Sequence, residues 1–261
     1  MNIPFTKYHG TGNDFVMIDQ TRHQWLGTGD QALVAMLCDR HFGIGADGLI
    51  LLEPGASGDF EMLYFNADGG VGSLCGNGSR CTVHFARACG LPLLTNTFLA
   101  ADGMHEFRID DRGWIGIHMA DLEVEPGTGD DYILDTGSPH FVQFCRDLSH
   151  VNILEDGKAI RYQPRFPYGI NVNFVHWDQH TLQVKTYERG VEAMTLSCGT
   201  GATASALALA LHEGLQGEQV IPVEVPGGSL EIHFDRLGSN QFSDIWLWGP
   251  ASPVYSGTFP V

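Results

Sequence analysis

The segment Cys198-Gly-Thr-Gly-Ala-Thr-Ala-Ser-Ala-Leu-Ala-Leu-Ala-Leu211 decides the fold. From Ala202 to Leu211 eight of its ten residues are alanine or leucine, and Gly214 ends the run. On a helix these residues cover the whole circumference, and a helix apolar all round must be enclosed on every side. The flanking sequence supplies the enclosure. Residues 132–136, 141–145, 171–176 and 182–187 before it read as strands, as do 220–225, 229–234, 244–248 and a short tail at 254–259 after it.

The first half is written in the same style. Residues 5–9, 15–19, 49–53, 61–66, 98–101, 106–110 and 114–119 read as strands and 31–40 as a helix; 79–89 reads as a second helix, stopped by Gly90. Cys75-Gly-Asn-Gly78 opens that helix as Cys198-Gly-Thr-Gly201 opens the other, and Phe65-Asn66 precedes one as Tyr187-Glu188 precedes the other. A phrase repeated in matched context points to duplication. The expected fold is α+β, with two similar lobes, each a curved, mostly antiparallel sheet around a central buried helix. Residues 1–122, completed by the tail 252–261, carry Cys75; residues 123–251 carry Cys198. The Pro- and Gly-containing stretch 123–131 reads as the connection.

The chain has 261 residues, 31 Asp and Glu against 14 Lys and Arg, and a formal charge of −17. That balance argues against nucleic acid, which requires a basic footprint, and against an anionic membrane surface. No apolar run approaches the roughly 18 residues of a membrane span, and the N-terminus lacks the pattern of a secretion signal. The six cysteines form no CxxC pair, so reduced thiols in a cytoplasmic protein are expected.

A cysteine just before a helix N-terminus feels the positive end of the helix dipole and the unpaired N–H groups of the first turn. Those effects lower a thiol pKa by roughly one unit, enough for it to serve as acid or base. Two such elbows facing one carboxylate would place a sulfur on each face of its α-carbon. One thiolate removes the proton, the other thiol returns one from the opposite side, and the N–H groups stabilise the charge between. Other chemistries lack their parts. Gly43-Ile-Gly45-Ala-Asp-Gly48 matches a dinucleotide fingerprint, but a helix precedes it and a strand follows, the reverse of what that motif needs. Lys7, Lys158 and Lys185 are the only lysines, and none sits in a phosphate-binding setting of a pyridoxal enzyme. No spacing of Cys and His suggests a metal. Arg189 can grip a carboxylate with two hydrogen bonds, and Glu188 can accept an ammonium group or bias a nearby thiol. Asn13, Asn66 and Asn171 lie at strand ends or Gly-rich turns, where asparagine is common for backbone reasons alone. His140 taken singly reads as structural.

The phrases His9-Gly-Thr-Gly-Asn-Asp-Phe15, Arg40-His-Phe-Gly-Ile-Gly-Ala-Asp-Gly48, Phe65-Asn-Ala-Asp-Gly69, Cys75-Gly-Asn-Gly78 with Arg80, Pro139-His140, Tyr187-Glu-Arg-Gly190, Cys198-Gly-Thr-Gly201 and Val225-Pro-Gly-Gly228 occur in that order. In them the chain resembles the diaminopimelate epimerase family along nearly its whole length. The resemblance implies an active site in a cleft between two lobes, and interconversion of LL- and meso-diaminopimelate without cofactor or metal. It assigns catalysis to Cys75 and Cys198, and substrate contacts to Asn13, Asn66, Gly76, Asn77, Asn171, Glu188, Arg189, Gly199 and Thr200. It places a tuning role on His140, and it implies a small-molecule partner and a homodimer. Ser138 stands where many members carry Asn, Gly48 where some carry Gln, Gly70 in place of a common Ser, and Met194 where many have Glu. The alternatives are a proline or hydroxyproline racemase on a related fold, and a non-catalytic amino-acid-binding protein.

Overall fold

The computed structural model describes residues 2–124 and 131–261. The runs Phe15-Val-Met-Ile18 and Leu49-Ile-Leu-Leu52 are buried at every position. A strand that buries its residues without alternation must be covered on both faces. These runs lie in β2 (Asn13–Asp19) and β3 (Gly48–Pro54), which pair in parallel. Parallel neighbours require a crossover, supplied here by helix α1 (Gln31–Cys38). Val34 and Leu37 of α1 pack on Val16, Ile18, Leu49 and Leu51. On the opposite face Cys81, Val83 and Phe85 of α2 (Gly76–Ala88) pack on Phe15, Met17, Ile50 and Leu52.

The chain divides into two compact units, Met1–Ile117 with Gly249–Val261, and His118–Trp248. In the first, β1 (Asn2–Gly10) pairs antiparallel with β2. Beyond β3 come β4 (Phe60–Asn66), β5 (Thr97–Ala100), β6 (Gly103–Ile109) and β7 (Ile115–His118). The senses from β1 to β7 are antiparallel, parallel, antiparallel, parallel, antiparallel, antiparallel.

The second unit repeats that sequence of senses. Its strands are β9 (Asp131–Asp135), β10 (Pro139–Phe144), β11 (Asn171–Trp177), β12 (Leu182–Glu188), β14 (Gly217–Val225), β15 (Gly228–Leu237) and β16 (Gln241–Gly249), with β13 (Ala193–Thr195) added beside β12 and β8 (Leu122–Glu123) beside β16. The pairings run antiparallel, parallel, antiparallel, parallel, antiparallel, antiparallel. Helix α3 (Ile153–Arg161) joins β10 to β11 as α1 joins β2 to β3, and α4 (Gly199–His212) matches α2. Every residue of α4 from Gly201 to Ala210 is buried, so the enclosure expected of an apolar helix is present. Leu207 and Leu209 are fully inaccessible, and burying each is worth about 1.5–3 kcal/mol.

Two features differ from the sequence expectation. Helix α3 and strands β8 and β13 were not anticipated; α3 is short, polar on its outer side and interrupted by Gly157, which masks its period. Both α2 and α4 begin two or three residues earlier than expected, because their glycine-rich first turns have low helix propensity. Most of the expected connection at 123–131 falls on residues 125–130, outside the described residues. Among the described residues no helix is long and apolar enough to cross a membrane.

Candidate active site

Cys75 and Cys198 occupy equivalent backbone positions. Each is the residue before a helix, extended, with φ −118° and ψ 113° at Cys75 and φ −121° and ψ 109° at Cys198. Their carbonyls accept the first helical bonds, from Ser79 N at 2.7 Å and Ala202 N at 2.9 Å. Each half-buried thiol therefore stands where the first N–H groups of a helix point outward. The fourth residue of each elbow is a glycine with close neighbours. A Cβ at Gly78 would lie 2.9 Å from Ile50 Cδ1, and one at Gly201 2.6 Å from Asn173 Oδ1.

Around Cys75 the amide orientations are fixed by groups that can only accept or only donate. The Asp47 carboxylate accepts from Asn13 Nδ2 at 2.8 Å, which turns Asn13 Oδ1 toward Asn77 Nδ2 (3.2 Å) and Cys75 Sγ (3.6 Å). Arg80 Nη2 donates to Asn77 Oδ1 at 2.8 Å, which fixes Asn77 in the complementary sense. Arg80 is wholly buried and also donates to Thr11 Oγ1 and the Pro250 carbonyl. Burial lowers its guanidinium to about 10, still charged at neutral pH. Asp47 is held by Arg40, which bridges to Asp14, and Lys7 closes on Asp14 at 2.6 Å. Burial would push the Asp14 carboxyl up, yet hydrogen bonds from Arg40 and Lys7 hold it at about 2. Lys7 is thereby committed to a structural pair.

Asn66 ends β4 opposite Gly48, and Gly48 starts β3 opposite Phe15, so Asn13 and Asn66 share one end of the β2–β3–β4 segment. The Tyr64 hydroxyl donates to Asn66 Oδ1 at 3.1 Å. A Cβ at Gly48 would sit 2.5 Å from the Phe65 carbonyl and 2.6 Å from the Tyr64 ring; one at Gly72 would lie 2.5 Å from the same ring. Tyr64 thus fills the space that a side chain at position 48 would need.

Around Cys198 the partners come from β10, β11 and α4. Thr200 Oγ1 lies 3.5 Å from Cys198 Sγ, 2.9 Å from His140 Nε2 and 3.1 Å from Ser138 Oγ. Ser138 also bonds His140 Nε2 at 3.0 Å and accepts from Asn171 Nδ2 at 3.3 Å. Asn171 Nδ2 donates to the Pro139 carbonyl (3.1 Å), and its Oδ1 accepts the Arg189 backbone N–H (2.8 Å). His140 is fully inaccessible. Burial, with the Arg189 charge nearby, pushes its imidazole down to about 3, so it is neutral at physiological pH. Glu188 ends β12, and Arg189 follows it, its guanidinium touching the Tyr168 carbonyl at 3.5 Å and no described carboxylate.

A sequence model of the family described as diaminopimelate epimerase matches residues 5–111 and 132–252. The chain belongs to the diaminopimelate epimerase family. A diaminopimelate epimerase of Flavobacterium psychrophilum is 47% identical over 255 residues, covering 97% of this chain and 98% of that one. That of Chlorobaculum tepidum is 38% identical, covering 95% and 98%. Among solved structures, a phenazine biosynthesis protein of the PhzF family from Bacillus anthracis superposes with TM-score 0.77 at 13% identity, each chain covered completely. A hydroxyproline epimerase from Agrobacterium vitis gives 0.69 at 13% identity, with 98% and 92% covered. These likenesses establish the fold.

Within the family frame, the first unit gathers Cys75, Asn13, Asn77 and their supports, and the second gathers Cys198, Thr200, His140 and Asn171. Sequence reasoning passed over Asp47, which sets Asn13, and Asn173, which touches His140. Both carried a signal. Asp47 lies in the glycine phrase that opens β3, and Asn173 lies two residues after Asn171, on the same strand face. Ser138, noted as a departure from the family pattern, is a member of the Cys198 cluster. Met194 is exposed in β13 opposite Tyr187, and Gly70 donates its N–H to Asp68. Among the described residues no group of three His, Cys, Asp or Glu is arranged to hold a metal ion.

Proposed function

We propose that this protein interconverts LL- and meso-diaminopimelate by passing a proton between the two thiols of Cys75 and Cys198. The α-carboxylate accepts hydrogen bonds from N–H groups in the first turns at Gly76, Asn77, Gly199 and Thr200. One thiolate takes the α-proton, and the electron pair left behind spreads onto the carboxylate, where those N–H groups stabilise it. The other thiol then gives its proton to the opposite face. The sulfurs exchange protonation states, and nothing is oxidised or reduced. The scheme requires both thiols to reach one carbon from opposite sides. Arg189 and Glu188, with Asn13, Asn66 and Asn171, are assigned to the distal amino-acid centre, the guanidinium taking its carboxylate and Glu188 its ammonium. Thiols that must stay reduced suit a reducing, cytoplasmic compartment.

The observation that carries this reading is the matched placement of Cys75 and Cys198 before their helices. Turnover of the LL isomer in deuterated water should yield the meso isomer carrying one α-deuterium. Cys75→Ala and Cys198→Ala should each lose epimerisation by at least about 100-fold; near-normal turnover in either would reject the two-thiol scheme. Because the fold is shared with a hydroxyproline epimerase, proline and hydroxyproline isomers are assayed alongside, and preferential turnover of those would replace the substrate assignment.

A further inference from the structure

Asn173 lies in β11, fully buried, behind the His140 imidazole. Its Nδ2 donates to the Phe141 carbonyl at 3.2 Å, and its Oδ1 accepts from the Thr186 hydroxyl at 2.8 Å. A backbone carbonyl can only accept, so the amide cannot be turned over without setting two acceptors against each other. The same Nδ2 lies 3.0 Å from His140 Nδ1. An amide nitrogen can only donate, so Nδ1 must be the bare, accepting nitrogen and the proton must sit on Nε2. Nε2–H faces Thr200 Oγ1 at 2.9 Å and Ser138 Oγ at 3.0 Å. A hydroxyl that receives a hydrogen bond from the ring is left to donate its own proton onward, and Thr200 Oγ1 lies 3.5 Å from Cys198 Sγ. The missing side chain of Gly201 makes the arrangement possible, since a Cβ there would lie 2.6 Å from Asn173 Oδ1 and 3.2 Å from His140 Cε1.

We propose that Asn173 is a positioning residue for the second thiol, selecting the Nε2–H tautomer of His140 so that donors run from Asn173 through His140 and Thr200 toward Cys198. The chain ends on a donor, which is what a sulfur holding negative charge needs. This rests on the two-thiol reading for its consequence in turnover, but the tautomer and the reactivity of Cys198 are properties of the protein without substrate.

The decisive variant is Asn173→Asp. A carboxylate at that place accepts from Nδ1–H, which moves the ring proton, leaves Nε2 bare and turns the Thr200 hydroxyl back toward the ring. Nitrogen-15 NMR of the wild-type protein should show His140 neutral with its proton on Nε2; a proton on Nδ1 or a doubly protonated ring at neutral pH overturns the proposal. In Asn173→Asp, alkylation of Cys198 by iodoacetamide at neutral pH should slow at least about tenfold while that of Cys75 is unchanged, with hydrogen exchange in α4 and β12 reporting that the second unit stays folded. With diaminopimelate, kcat should fall by about 10²-fold or more with KM within a few fold. Unchanged Cys198 alkylation overturns the proposal. Thr186→Val, which removes a partner of Asn173 but leaves its contact with the ring, should keep the Nε2–H tautomer, and loss of it there also counts against the assignment. If Asn173→Asp does not fold, the wild-type tautomer decides. An absence of epimerisation in the wild-type protein would instead reject the function and leave the tautomer standing.

Discussion

Tyr64 ties two glycines and an asparagine of the first unit together. Its ring lies between Gly48 and Gly72, and its hydroxyl holds Asn66. A glutamine at position 48 would have to displace both the ring and the Phe65 carbonyl, and the backbone atom cannot yield. Overpacking of this kind costs about 1–3 kcal/mol, so Gly48→Gln should lower Tm by about 2–10 °C, measured by calorimetry; a variant as stable as wild type would show that the ring moves freely. The buried His140 makes a second residue-scale prediction. Its folded pKa is about 3 and its unfolded value about 6.5. As pH falls between those values the unfolded chain binds the proton first, so stability is lost through that window and levels off below it. Between pH 7 and pH 4 the loss amounts to about 3 kcal/mol. In His140→Gln, whose amide does not titrate, urea unfolding should show a correspondingly smaller difference between the two pH values; an unchanged difference would assign the acid sensitivity elsewhere. The two thiols were legible from sequence because their phrase is repeated. Asp47 and Asn173 carried a weaker signal, a place in the glycine phrase and a place on the face of Asn171, and what each does became plain only from the amide it orients or presents.

At the scale of elements, the two elbow glycines look alike in sequence and differ in what they face. Replacing Gly78 or Gly201 by alanine adds about 1 kcal/mol of helix propensity. At Gly78 the new methyl meets Ile50 Cδ1 and Met62 Cε, ends of flexible side chains. At Gly201 it meets Asn173 Oδ1, which Thr186 and the Phe141 carbonyl pin in place. Gly78→Ala should therefore be close to neutral in stability. Gly201→Ala should destabilise by about 1–3 kcal/mol and depress kcat more than it raises KM; equal behaviour of the two would contradict the packing account. The buried helix α4 and most strands were readable from periodicity and composition. Helix α3 was not, although the repeat contains its image: α1 occupies the same place between parallel strands. Extending the echo from the cysteine phrase to the whole order of strands predicts α3, because parallel neighbours cannot be joined without a crossover.

At the scale of the whole molecule, the first unit is closed by both ends of the chain. The last strand, β17 (Ser252–Pro260), pairs antiparallel with β1, from Asn2 opposite Pro260 to His9 opposite Ser252. On its other side β1 meets β2 only from Thr6 to Gly10. Residues 2–5 therefore pair with β17 alone, among them Ile3, which is 1% exposed and packs with Val16, Ile18 and Phe259. Phe5 meets Tyr255 edge-on at 5.8 Å, and the Tyr255 hydroxyl donates to the Ile44 carbonyl at 3.3 Å. The clusters that fill the second unit draw on residues between Met119 and Leu247 and include nothing from β1 or β17. A chain ending at Ala251 should lose the β1–β17 ladder and about 1.5–3 kcal/mol for exposing Ile3 alone. Hydrogen exchange should then quicken in β1 and in the α1 face of β2 and β3, while the amides of α4, β11 and β12 keep their protection. Equal loss of protection in both units would mean that they open as one cooperative body and that β17 supports more than the unit it completes.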